Sequence, residues 1–248
     1  MRMKTSGSAR PAVLGWSPVG RAVVFFLAAM SIWCLLAEFY GLCSMRSFTL
    51  YILIPSTALL VLIAVRDLLK GDGQLWRAVV IGAVGGLLAA CAYDLFRLPF
   101  VIATADQIGP TWLRLPLFSV FPRFGAMILG QSFTAQQTDS QFKLLAHVVG
   151  WAYHLSNGIT FGVMYMALIG DAGRRNWAWA IVLAVGLELA MLFTPYTNFF
   201  GINLTTRFVV ATLTAHLIFG IVLGLYARRE AIHWPSERFG HLVRGGEA

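Results

Sequence analysis

The apolar positions of this chain fall in long runs, without the strict alternation of half-buried strands. Six runs supply the about 20 mostly apolar residues that a helix needs to cross hydrocarbon: 22–42, 49–69, 78–104, 144–169, 177–195 and 208–227. They predict an all-α fold, a polytopic transmembrane helix bundle of six spans in a single membrane domain, residues 1–248. A basic leader (1–21) precedes spans 1–3 (22–104), an outer segment (105–143) separates them from spans 4–6 (144–227), and a basic tail (228–248) follows. The first run is longer than the about 7–15 residues of a secretory signal, and no small-x-small cleavage site follows it, so it counts as a span. Residues 107–131 are interrupted by Pro110, Pro116 and Pro122 and charged by Arg114 and Arg123. They are expected to be interfacial or re-entrant, not a crossing.

Composition narrows the class. Hydrophobic residues make up 58% of the chain and charged ones 12%, about half the charge of an ordinary soluble domain. That excludes a soluble globule, and the high hydrophobicity excludes disorder. Cys34, Cys43 and Cys91 have no paired spacing, so neither a disulfide framework nor a thiolate metal site is signalled.

The net charge of +8 reads as orientation and lipid contact. With both termini cytoplasmic, the inner side holds Arg2, Lys4, Arg10, Arg21, Arg66, Lys70, Arg77, Arg174, Arg175, Arg228, Arg229, Arg238 and Arg244, as the concentration of Lys and Arg in cytoplasmic loops requires. Arg46, Arg97, Arg114, Arg123, Lys143 and Arg207 remain for the outer side and the spans. A seventh crossing would move Arg174, Arg175 and the tail outside. No nucleic-acid partner is expected, because no basic soluble module exists. Trp76, Trp177 and Trp179 on the inner side, and Tyr40, Tyr51, Trp112 and Tyr196 on the outer, suit interfacial belts.

Ionisable groups within spans are the strongest functional signal, since each costs about 2.5–3.5 kcal/mol on insertion scales unless paired or neutralised. They are Glu38, Asp94, Arg97, His147, His154, Glu188 and His216, and the deduced orientation places all of them in the outer half of the bilayer. Spans 4 and 6 share H-L-x-x-G-I-x-x-G, from His154 to Gly162 and from His216 to Gly224. Positions i, i+4 and i+8 lie on one helix face, so each His heads a smooth glycine track. Spans 3 and 5 show the mirror image: Gly82, Gly86, Ala90, Asp94 and Ala180, Ala184, Glu188. The order acid, His, acid, His suggests a parallel repeat of two helical hairpins, 78–169 and 177–227, with Asp94, His154, Glu188 and His216 converging. His147 lies on the same face as His154, and Tyr93, Arg97 and Asn157 are candidate supporting residues. Small-residue tracks also serve plain helix packing. Asp94 and Arg97, three apart, can neutralise each other, and Glu38 is near enough to the boundary to be solvated. Glu188 has no basic neighbour on its own helix and must be protonated, metal-bound or paired across helices.

No phosphate-binding loop, dinucleotide fingerprint or G-x-S-G nucleophile occurs, which disfavours nucleotide chemistry and acyl transfer by serine. The paired H-L-x-x-G-I-x-x-G segments, with D/E-L-x-x-L in the preceding helices (Asp94 to Leu98, Glu188 to Leu192), resemble small, uncharacterised multispanning bacterial inner-membrane proteins over about residues 78–228. The resemblance implies a bacterial inner membrane and brings no activity.

Three readings of function follow. In the first, His154, His216, Asp94 and Glu188 bind zinc, iron or manganese, or the two His clamp a haem, for redox or metal-assisted chemistry on a lipophilic small molecule. Asp94, Arg97, His147, Asn157 and Glu188 would then contact cofactor or substrate. In the second, the same groups serve a proton-coupled small-molecule carrier. In the third, the chain is a non-catalytic subunit of a membrane complex or oligomer.

Overall fold

The computed structural model describes residues 17–134 and 137–234. Leader residues Arg2, Lys4 and Arg10 and tail residues Arg238 and Arg244 lie outside the described residues. Among the described residues every regular element is helical.

The first helix, α1 (Pro18–Phe39), starts where Ser17 accepts the Gly20 N–H at 3.1 Å and Pro18 presets the first turn. The second, α2 (Met45–Lys70), is capped by Ser44 and widens to a π turn over Thr49–Leu53 just before Pro55, whose missing N–H disturbs the regular ladder. Asp67 near its end accepts the N–H groups of Leu75 and Trp76 at 2.8 and 3.1 Å. This carboxylate thereby opens α3 (Gln74–Ala105).

Residues 107–131 hold a 3-10 turn (Thr111–Leu113) and one α-helix, α4 (Val120–Leu129). Its ten residues extend roughly 15 Å, half of the hydrocarbon thickness. Every residue from Val120 to Met127 is buried, so α4 is enclosed by protein. There follow α5 (Leu144–Ile169), α6 (Trp179–Leu192), the single turn α7 (Tyr196–Phe199) and α8 (Thr206–His233).

Directions alternate along the chain. Arg21 at the start of α1 bonds the carbonyls of Ala167 and Leu168 at the end of α5, and Arg77 at the start of α3 bonds Ala231 at the end of α8. These ends form one pole of the molecule, here the terminal pole. Residues 106–134, 137–143 and 193–205 form the opposite, loop pole, which Arg207 at the start of α8 ties together by reaching the Thr111 carbonyl at 2.7 Å.

Four helices, α1, α2, α3 and α8, are long and apolar enough to cross a membrane. Their exposed flanks are apolar, with Phe26, Trp33, Val61, Leu62 and Val210 among the residues facing outward, as expected of surface that meets lipid. The other two expected spans fall short by that measure. Helix α5 has 26 residues but carries His147, His154, Ser156, Asn157 and Thr160. Helix α6 has 14, roughly 21 Å.

Backbone contacts tie the helices in pairs. A Cβ on Gly82 would strike the backbone of Gly162 and Val163, and one on Gly86 would strike the Gly158 carbonyl; from the other side, one on Gly162 would strike the Gly82 carbonyl and one on Gly158 the Ala90 side chain. The glycine tracks of α3 and α5 therefore face each other. Gly220 and Gly224 of α8 lie against Ala180, Ile181 and Trp177 at the start of α6. Gly125 of α4 and Gly150 of α5 permit a third close approach, against Ala146 and Phe121.

Candidate functional site

The small-residue tracks bring their polar ends together in pairs. Where the α3 and α5 glycines diverge toward the loop pole, His154 Nε2 stands 2.9 and 3.1 Å from the two oxygens of Asp94. Because an ionised carboxylate only accepts, the imidazole donates from Nε2. Arg97 Nη1 is 3.5 Å from the same carboxylate, so His154 is its nearer partner. On α6 and α8, Glu188 Oε2 faces His216 Nε2 at 3.6 Å, which gives Glu188 the cross-helix partner its sequence position demands. The acid side chains are 12–13% exposed and the imidazoles 15–21%.

The second pair has a definite proton logic. His216 Nδ1 lies 2.9 Å from the Thr212 carbonyl, and a carbonyl can only accept, so Nδ1 carries hydrogen. In the neutral ring Nε2 is then a bare lone pair directed at Glu188. Two acceptors facing each other repel, in keeping with the 3.6 Å gap, and a proton placed between them would turn the contact into a hydrogen bond.

Aromatic rings fix the geometry. Phe121 of α4 stacks on His154 at 4.2 Å between centroids, and Tyr93 meets His216 edge-on at 4.9 Å and His154 at 6.0 Å. Arg97 is 4% exposed, lies over the faces of Tyr93, Phe118 and Phe121 at 4.6–5.4 Å and donates from Nη2 to the Leu117 carbonyl. Its Nε and the Oδ1 of Asn157 are buried without a hydrogen-bond partner.

Arg97, His154, Asn157, Glu188 and His216 line one cavity of about 180 Å³. Toward the loop pole lies a vestibule of about 870 Å³, walled by Thr104, Arg123, Asp139, Arg207 and Thr212. Tyr93, Arg97, Val120, Glu188 and Tyr196 line both and stand between them.

Most sequence-derived site residues thus meet. Asp94 stands behind His154 as its acceptor, outside the cavity lining. His147 is not brought to the cavity: it bonds the Asp139 carbonyl at 3.0 Å and meets Phe142 edge-on. It lies in the first turn of α5, against the 3-10 segment Asp139–Gln141 that precedes the helix. Glu38 also stays apart, accepting the Met45 N–H at the start of α2. Among the described residues no group of three or more His, Cys, Asp and Glu comes together as a metal-ligand set; the four expected ligands are engaged two by two.

Sequence reasoning missed Phe121, which comes from the Pro-broken segment, and Tyr196, assigned there to an interfacial belt. Tyr40, Tyr51 and Trp112 are exposed as such a belt requires, whereas Tyr196 lines the cavity. The T-P-Y turn at 194–196 that ends α6 is the signal that could have marked its inward placement. No protein-family description, curated protein or solved structure matches this chain.

Proposed function

We propose that this chain is a six-span protein of the bacterial inner membrane, with α5 and α6 completing the bundle, both termini cytoplasmic and the loop pole facing outward. Its cavity then opens to the outer side, and it works as a proton-coupled carrier of a small molecule. The observation that carries this reading is Glu188, which faces His216 from the wall shared by the cavity and the vestibule. A group there can exchange its proton with water in the vestibule and sense a bound ligand at once. The glycine contacts close the bundle toward the terminal pole, which corresponds to an outward-open state. The two acid/His hairpins are read as a parallel internal repeat, whose interface is a usual place for a transport site. Lipid is the permanent partner, and self-association would enlarge a small bundle.

Proteoliposomes with an entrapped pH dye test it. A solute that is carried acidifies the lumen in the wild type, and Glu188→Gln abolishes the response. Equal proton flux in both proteins overturns the reading. Reporter fusions at each terminus test the orientation.

A metal site is the second reading, favoured by one observation. A His that donates Nδ1–H to a backbone carbonyl and keeps Nε2 bare beside a carboxylate is prepared as a ligand. Glu188 and His216 could supply two donors, and a water or substrate atom would have to complete the set. Haem has less support: Tyr93 touches both imidazoles, and the cavity is smaller than the about 300–1,000 Å³ of sites for drug-sized ligands. Unchanged metal content and absorption in a His154→Ala, His216→Ala double variant would sink this reading.

A further inference from the structure

We propose that the gap between Glu188 and His216 is a seat for an organic ammonium group, and that the molecule bound is a small protonated amine with an apolar body. The inference names a substrate class for the carrier reading and rests on it only for the ligand's passage, since binding can be measured alone. No described residue donates a hydrogen bond to the Glu188 carboxylate. Beside it His216, whose Nδ1 is turned to the Thr212 carbonyl, presents a bare Nε2. These two acceptors are 3.6 Å apart, so a nitrogen about 2.8 Å from each, the length of a charge-assisted hydrogen bond, fits between them and donates to both. Both side chains line the cavity and keep exposed surface, so a ligand atom can reach them. A carboxylate held in a largely enclosed site without a donor is costly, and an ammonium group removes that cost.

The surrounding charges favour a cation at this point. Arg97 also lines the cavity, but Asp94 stands 3.5 Å from it as counter-ion, and His154 serves that same carboxylate. Among the described residues no Lys or Arg nitrogen lies within ion-pair distance of Glu188, so its charge is the one at the cavity that lacks a cation. Phe124, Phe161, Met191, Tyr196 and Phe219 complete the wall; ring faces attract an ammonium group as well as its carbon body. A cavity of about 180 Å³ suits a ligand smaller than the drug-sized molecules of larger sites. On the approach path Arg123 and Arg207 outnumber Asp139, each already donating to a backbone carbonyl, that of Gln137 and that of Thr111. Their field acts twice as strongly on a metal dication as on a monovalent ammonium, and an amine passes it as the uncharged base.

Titration calorimetry on the protein in phosphatidylcholine nanodiscs tests this, with empty nanodiscs as the blank. The probe is benzylamine, protonated at neutral pH, and benzyl alcohol is its uncharged control of the same shape. Expected is saturable binding of the amine, at least tenfold weaker for the alcohol. Glu188→Gln should weaken the amine by roughly 10- to 100-fold, the worth of a charge-assisted hydrogen bond, because the new amide carries no charge and itself donates to His216. Glu230→Gln, at the far end of α8 on the terminal pole, should leave the affinity unchanged. Equal binding of amine and alcohol to the wild type, readable even if Glu188→Gln fails to fold, overturns the proposal. So does unchanged amine binding in a folded Glu188→Gln. Saturable binding of zinc ion without binding of the amine also overturns it and assigns the pair to a metal. Amine binding that follows Glu188 without proton-driven uptake keeps this site and defeats the carrier reading.

Discussion

The α3/α5 and α6/α8 hairpins carry the same short motif and use it differently. In the first, glycines face glycines, so neither backbone can withdraw without losing contact on both sides. Asp94 and His154 are at hydrogen-bond distance, with Arg97 alongside and Phe121 stacked on the ring. In the second, the glycines of α8 face Ala180, Ile181 and Trp177, α6 is 14 residues long, and Glu188 and His216 are 3.6 Å apart. One hairpin is a closed ion-pair joint; the other is a looser pair with no hydrogen bond between its members. The repeated acid and His therefore set where a polar pair forms, while the neighbours on each helix decide whether it is fixed or free to respond.

Substitutions can break that contrast. The largest effect is expected from Gly86→Val, whose new side chain would meet the Gly158 backbone; it should destabilise the detergent-solubilised protein by about 3 kcal/mol or more. Gly220→Val, against Ile181 of the shorter helix, should cost less, and Gly186→Ala, where nothing lies within 4 Å of a Cβ, should be neutral in thermal melting. Equal losses for Gly86→Val and Gly220→Val would mean that the two hairpins are equally rigid.

The next effect separates the two carboxylates. Asp94→Asn leaves Arg97 buried without its counter-ion and should cost about 3 kcal/mol, as removal of one member of a buried pair does. In Glu188→Gln the new amide can donate to the bare His216 Nε2, so stability should fall by less than about 1 kcal/mol. A comparable loss in both variants would assign Glu188 a structural role like that of Asp94.

The smallest effect tests the boundary of the site. His147→Ala removes one bond to the Asp139 carbonyl and should cost about 0.5–1 kcal/mol in melting experiments, with no change in proton-driven uptake. A tenfold change in that uptake would extend the site to the start of α5.

Much of this architecture was readable because helix periodicity is local. Hydrophobic run lengths located α1, α2, α3, α5, α6 and α8 to within a few residues, and four-residue spacing placed Gly82, Gly86 and Ala90 on the face that ends in Asp94. The isolation of Glu188 from any base on its own helix required a partner elsewhere. Other features had no local signature. His147 shares a helical face with His154, yet the loop packed over the start of α5 engages it instead. Phe121 reaches His154 from a segment whose prolines signalled only that it could not cross.

By itself, the sequence determined that the chain is an all-helical bundle with helices fit to cross a membrane, because run length and composition act residue by residue. It also determined which faces are smooth and which polar groups cap them. Tertiary structure alone decided that the four groups pair as Asp94/His154 and Glu188/His216, without a four-ligand cluster, and that Arg97 keeps an unpartnered donor beside a cavity. Those outcomes depend on how closely two backbones approach and which neighbour fills each remaining hydrogen-bond site, and both are set by contacts between residues distant in the chain.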